Sequence, residues 1–168
     1  TFKLTIERIN LYDLISSAVE EYGKNIQLVY TDLIINYESA VQNISVNGDK
    51  LRLGQVLFIL LDNAGKFTKS GSISVTSQIK SNTVQVVVKD DGPGIDPEIL
   101  PQLFTKFVTK SDRGTGLGLF IAKNIIEAHG GIIWAENSVQ HQGAVFLFTL
   151  PLANNIDEDK NGNENDKL

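Results

Sequence analysis

The chain has 168 residues, of which 42% are hydrophobic, with 14 glycines, two histidines, no cysteine and a formal net charge of -5. That length supports one domain with a real core and is short for two. The missing cysteines exclude disulfides and thiolate metal sites, the acidic balance argues against duplex nucleic acid as the main ligand, and no apolar run approaches the length of a membrane span.

No signal peptide opens the chain, and the absence of any methionine leads us to expect a segment cut from a longer protein, in which membrane spans can lie outside the piece. Asn10 is placed to cap a first helix whose apolar face is Leu11, Leu14, Ile15, Ala18, Val19 and Tyr22, with Asp13 in the first turn and Gly23 near the exit. Ile26 to Tyr30 and Leu33 to Tyr37 are β-prone runs whose partners the pattern does not assign, and the stretch to Gly48 carries no clear signal. Asp49 is a good cap for a second helix with Leu53, Val56, Leu57, Leu60, Leu61 and Ala64 on one stripe, ended by Thr68-Lys69-Ser70-Gly71. Ile73, Val75 and Ser77, then Val84, Val86 and Val88, alternate as two strands of a hairpin turning at Ser81-Asn82.

After the cluster Asp90-Asp91-Gly92-Pro93-Gly94-Ile95, Asp96-Pro97-Glu98 should start a short helical piece through Leu103, because proline suits the first helical position. Phe104 and Phe107 lead into a loop, and Gly114-Thr115-Gly116-Leu117-Gly118-Leu119 then opens a third helix. Its predicted stripe is Leu117, Phe120, Ile121, Ile125 and Ala128, closed by His129-Gly130-Gly131. Strands Ile132 to Glu136 and Val145 to Leu150 follow, and beyond Pro151 an Asn/Asp/Glu/Lys mixture reads as a disordered tail. The order of elements predicts an α/β fold, a two-layer sandwich with about three helices on one face of a mixed sheet.

Period two carries Asp90 onto the inward face of Val84, Val86 and Val88 and turns Asp91 away. A carboxylate aimed at an apolar layer needs a donor, and the glycines beside it leave a slot for a flat, amine-bearing ring such as adenine. The competing reading is that Asp90 only caps its own turn. On the second helix Asn63 and Lys66 lie at i and i+3, with Ile59 one turn earlier, which pairs an amide oxygen for Mg²⁺ with an ammonium for phosphate; a plain solvated face is the alternative. Bare amides at a glycine-rich helix start form an anion cradle, so base and phosphates together describe ATP. Lys106, Lys110 and Arg113, between the clusters, are placed to close over a triphosphate or are simply exposed. His129 fits helix termination and His141 a surface turn. Gly65-Lys66-Phe67-Thr68 mimics only the end of a P-loop, and the second cluster matches neither a Rossmann nor a protein-kinase glycine loop.

From Asn10 to Pro151 these motifs resemble the ATP-binding catalytic domain of sensor histidine kinases, in the gyrase, Hsp90, histidine kinase and MutL superfamily. Gln55 to Thr68 resembles its asparagine box, Asp90 to Ile95 its first glycine box, Phe104 to Phe107 its phenylalanine box, Arg113 to Leu119 its second glycine box, and Gly130 to Ser138 with Phe148-Thr149-Leu150-Pro151 its closing hairpin. The resemblance implies a Bergerat-type ATP-binding fold over residues 10–152, with residues 1–9 trailing from a preceding segment and residues 153–168 a polar tail. It also implies Asn63 on Mg²⁺, Lys66 near the phosphates, and Asp90, Gly92, Gly94 and Ile95 around the adenine. Phe107, Lys110, Arg113, Gly114, Thr115, Gly116, Leu117 and Gly118 would serve the lid and the phosphate cradle.

The implied activity is transfer of the γ-phosphate of ATP to a histidine on a separate helical dimerisation domain, and onward to a response regulator's receiver domain. Nucleic acid and direct membrane contact are not expected, and the implied location is cytoplasmic within a parent protein that can be membrane-anchored. Two positions depart from the family: Ile59 stands where asparagine is usual, and Ala144-Val145 replaces a common Ser-Thr pair. Ile59 motivates the alternative of a degenerate nucleotide-binding module that signals by ordering its lid with little or no kinase activity. A third reading, kinship with the anti-sigma serine kinases, fits the tryptophan-bearing hairpin less well.

Overall fold

The computed structural model describes residues 3–30, 32–108, 115–140 and 142–154. Lys110, Arg113, Gly114, His141 and the tail from residue 155 onward lie outside the described residues. In chain order the elements are β1 (Glu7–Asn10), α1 (Leu11–Gln27), β2 (Leu33–Ser39), β3 (Ser45–Gly48), α2 (Lys50–Phe67), β4 (Gly71–Lys80), β5 (Thr83–Asp90), α3 (Gly118–Ala128), β6 (Ile133–Asn137) and β7 (Ala144–Pro151). Five strands form one sheet in the order β2-β4-β5-β7-β6, parallel between β2 and β4 and antiparallel elsewhere, so the sheet is mixed. The helices pack on one face of it, α1 against β2, α2 against β4 and β5, and α3 against β6 and β7, which is the expected two-layer sandwich.

Each predicted stripe has a structural counterpart, with corrections at the ends. Leu53, Val56, Leu57, Leu60, Leu61 and Ala64 of α2 are all buried, as are Val84, Val86, Val88 and Asp90 of β5, so the period-two argument places Asp90 correctly. The β4–β5 hairpin turns at Ser81, which takes a positive φ of 54°. Helix α1 does not end at Gly23 but runs to Gln27, so Ile26 to Tyr30 contains no strand. On α3 the fully buried residues are Ala122, Ile125 and Ile126; of the predicted stripe, Leu117, Phe120 and Ile121 are only half-buried, Ile121 at the edge of the core and Phe120 under the Lys106 side chain, and Ala128, at the helix end, is exposed. The helical piece expected from Asp96 reduces to turns and a single 3-10 turn over Leu100–Gln102, with Asp96 Oδ1 accepting from the Glu98 amide at 2.8 Å.

Near the start, β1 pairs antiparallel with β3 and buries Ile9, so the strand begins three residues before the expected boundary at Asn10. Asp49 ties this corner together. Its Oδ1 accepts from the Arg52 amide at 3.1 Å, capping α2, and its Oδ2 from the Thr5 amide at 2.9 Å. The two amides, Thr5 first, hold this carboxyl below its ordinary value. Its own N–H donates to His129 Nε2 at 2.9 Å, so the ring proton sits on Nδ1 and is given to the Ile125 carbonyl at 2.7 Å. His129 therefore ends α3, as expected, and also fixes that end against the start of α2.

Candidate functional site

The site is assembled where the C-terminal end of α2, the exit of β5, the start of α3 and the β6–β7 hairpin converge. Helix α2 buries one stripe, which leaves Asn63 and Lys66 on the opposite side. Strand β5 ends in Asp90, 3% exposed, on the layer formed by its valines. One cavity of about 130 Å³ is bordered by Asp90, Gly94, Ile95, Asn63, Leu119 and Phe146, among others. A second, of about 170 Å³, is bordered by Ile59, Asp62, Lys66, Thr115, Gly116 and Gly118, among others. Asn63, Phe67, Val108 and Leu119 border both, so the two are halves of one cleft.

In the first half, Asp90 Oδ1 accepts from the Gly92 amide at 2.9 Å and the Ala144 amide at 3.2 Å. Asp90 thus does cap its own turn, through one oxygen, which leaves Oδ2 for an incoming donor. Burial pushes its carboxyl up from the ordinary value, while the Gly92 and Ala144 amides and, more weakly, the Thr68 hydroxyl pull the other way. Asp91 faces outward and accepts from the Ser72 amide at 2.8 Å and hydroxyl at 2.7 Å. Gly92 does not border the cavity; it lets the chain pass close to Asp90, Thr68 and Phe67. Missing from the predicted set is Thr68, whose 1%-exposed residue carries a buried hydroxyl beside this carboxyl with no well-aligned partner among the described residues. The signals for it are its small polar side chain directly after a helix and its place at the end of the stretch that resembles the asparagine box. Ala144 contributes its backbone amide, so the lost hydroxyl at that position does not leave Asp90 unsupported.

In the second half, Asn63 and Lys66 stand one helical turn apart, and Lys66 Nζ lies 2.9 Å from Asp62 Oδ2 in a partly exposed pair. Thr115, Gly116 and Gly118 come together at the start of α3 as expected. Gly116 has φ 68°, and a Cβ there would meet the Phe107 backbone at 2.7 Å, so glycine is required on both counts. The Phe107 amide donates to the Gly116 carbonyl at 3.0 Å, joining the two stems of the intervening loop. Phe107 itself takes φ 62° and is 73% exposed; it is the neighbouring Val108 that faces the cleft. Likewise Leu117 sits at the α3 N-cap and the leucine facing the cleft is Leu119. Phe104 packs edge-on against Phe146, ring centres 6.4 Å apart, and Lys106 Nζ lies 5.0 Å from the centre of the Phe120 ring.

Comparison with known proteins accords with this geometry. The model of the histidine kinase-, DNA gyrase B- and HSP90-like ATPases matches residues 48–154, more than half of the chain. The chain belongs to this family. Within it the chain is 37% identical over 152 residues to the sensor histidine kinase ZraS of Salmonella typhimurium, a match covering 89% of this chain and 32% of ZraS. The chain therefore spans about a third of that relative's length. The solved catalytic domain of histidine kinase ThkA superposes with a TM-score of 0.79 at 35% identity, covering 89% of this chain and 96% of that one. ThkA has also been solved in complex with response regulator protein TrrA, with a TM-score of 0.77 at 33% identity over 89% of this chain and 42% of that one. Full-length ShkA in complex with AMPPNP gives a TM-score of 0.80 at 27% identity, over 90% of this chain and 32% of that one. The chain is an ATPase-type domain of the sensor histidine kinase kind, and these likenesses give no support to the alternative of a degenerate module.

Proposed function

We propose that this domain binds Mg-ATP and presents its γ-phosphate to a histidine on a separate helical dimerisation domain, from which the phosphoryl group passes to a response regulator's receiver domain. The observation that carries the reading is Asp90: a buried carboxylate with one oxygen fixed by two amides and the other available to the exocyclic amine of adenine. Gly94 and Ile95 border the flat slot beside it, and Asn63 lies at the junction of the two halves. An amide oxygen there suits Mg²⁺, which keeps several waters and binds phosphate oxygens besides a few protein ligands. Among the described residues no cluster of three or more His, Cys, Asp or Glu side chains could hold a metal alone, which fits a metal that arrives with the nucleotide. When bound, the cation offsets charge on the phosphates. Lys66, and Lys110, Arg113 and Gly114 by position in the chain, are assigned to the phosphate side, with the α3 amides as the cradle.

The protein's share in transfer is thus placement and charge compensation for in-line attack by the imported imidazole. No described helix is long and apolar enough to cross a membrane, and we place the domain in the cytoplasm of a parent kinase. The test supplies γ-labelled Mg-ATP to the chain together with the helical dimerisation domain of its own parent protein. Acid-labile phosphohistidine on that domain is the expected product, formed more slowly at sub-saturating Mg-ATP in Asp90→Asn and Asn63→Ala. Nucleotide binding without any labelled histidine at saturating Mg-ATP would overturn the transfer step.

A further inference from the structure

We propose that Asn137 is a positioning residue for base recognition, clamping the loop that follows Asp90 so that its slot has a fixed width. This rests on the reading of Asp90 as the base-recognising group. Asn137 is the last residue of β6, and its side-chain Oδ1 accepts from the Ile95 amide at 2.6 Å while its Nδ2 donates to the Ile95 carbonyl at 2.8 Å. A primary amide carries donor and acceptor side by side, so one side chain completes a two-bond bridge that an ionised carboxylate, which only accepts, cannot.

The opposite end of the same loop is held from the same rung of the hairpin. Asn137 is paired with Ala144 in the β6–β7 register, and Ala144 donates its amide to Asp90 Oδ1 at 3.2 Å. Next to that rung the Ser138 amide donates to the Gly143 carbonyl at 3.0 Å and closes the hairpin. One rung therefore fixes both Asp90 and Ile95, the two ends of a six-residue stretch whose Asp90, Gly94 and Ile95 border the base half of the cleft. Gly94 between them has φ 83°, and a Cβ there would lie 2.9 Å from Asn137 Oδ1, so the loop is shaped to accept this amide. Asn137 does not itself border the cleft; it acts through Ile95 and Gly94, which do.

The test is calorimetric titration of the chain with Mg-ADP and with inorganic pyrophosphate plus Mg²⁺, the second probe lacking a base. In Asn137→Ala the dissociation constant for ADP should rise about tenfold, as expected for two lost hydrogen bonds, while that for pyrophosphate stays within about twofold. Asn137→Asp, which keeps the acceptor and loses the donor, should move ADP affinity in the same direction. Unchanged ADP affinity in both variants, with Asp90→Asn weakened, would overturn the clamp and spare the role of Asp90. Equal losses for ADP and pyrophosphate would also overturn it, since general loosening of the domain predicts that pattern. Unchanged ADP affinity in Asp90→Asn would defeat the reading of the slot itself, and the clamp with it.

Discussion

At the base end of the cleft the polar group is buried and bound by two main-chain amides, one from its own turn and one from β7, whereas at the phosphate end Asn63 and Lys66 stand on one partly exposed helix face. Lys66 is drawn there to Asp62, a side chain on its own helix. The difference matches the two parts of the proposed ligand. A flat ring with one donor to satisfy rewards a carboxylate held rigid and desolvated, because the selectivity comes from leaving that group unpaired when the wrong ring enters. A hydrated cation and flexible phosphates need charges that can move to meet them. Substitutions at the base end should therefore change affinity for any adenine nucleotide, and those at the phosphate end should act through the metal or the salt concentration.

Asp90→Asn should break the comparison most sharply. An amide in place of the carboxylate can still accept from Gly92 and Ala144, but it can turn a donor toward the adenine amine, and losing a hydrogen bond to a charged group should weaken ADP binding by about ten- to a hundredfold. Stability of the nucleotide-free domain should not fall. The folded carboxyl titrates above its ordinary value. Its favourable contribution is thus present below the unfolded value and lost as pH rises through the folded one, so at neutral pH the ionised group is a burden that asparagine removes. A clear drop in melting temperature at neutral pH, or undiminished ADP affinity, would contradict this.

Asn63→Ala should come next and should behave differently. ATP affinity is expected to drop about tenfold in saturating Mg²⁺ and to stay near wild type in EDTA, as one ligand of the cation is lost and the base contacts are untouched. Equal losses with and without metal would move Asn63 from the cation to the scaffold. A smaller effect separates function from packing at the base end. Thr68→Val preserves shape and removes a buried hydroxyl that sits beside the Asp90 carboxyl without a well-aligned hydrogen bond, so the stability of the nucleotide-free domain should change by no more than about 1 kcal/mol. Chemical denaturation measures it, and a larger loss of stability would show that the hydroxyl is firmly bonded.

Much of this arrangement could be read from local pattern. Alternation along β5 oriented Asp90, and the stripe on α2 turned Asn63 and Lys66 outward, because each conclusion needs only a few neighbouring residues and a fixed period. What escaped depends on distant partners. Strands β1 and β3 have four residues each and bury little beyond Ile9 and Val46, so neither carries a period long enough to detect. Gly23 looked like an exit, yet an added Cβ there would meet nothing within 4 Å, and Ile26 extends the α1 stripe past it; the cost of glycine in that helix is about 1 kcal/mol and packing overrides it. The bonds of Asn137 to Ile95 and of His129 to Asp49 link residues with no common local signature. On α3, Leu119 borders the cleft and Phe120 lies under the Lys106 side chain, so hydrophobicity there marks a site and its approach as well as the core.

The smallest effect should be at Asp62, and it tests whether the phosphate end is adjustable. Asp62 and Lys66 form an i,i+4 pair with side chains 34% and 43% exposed, the kind of contact that contributes only about 0.3–0.5 kcal/mol after screening by solvent. Bound phosphates compete with Asp62 for the same ammonium, and a carboxylate beside them also repels them. Asp62→Asn removes the competitor and the repulsion while keeping the helix, so affinity for Mg-ATP should rise by about two- to threefold at low salt and the gain should shrink as ionic strength increases. Adenosine, which has no phosphate, should bind both forms alike. If adenosine binding changed as much as ATP binding, Asp62 would belong to the base end, and the division of the cleft into a fixed half and an adjustable half would fail.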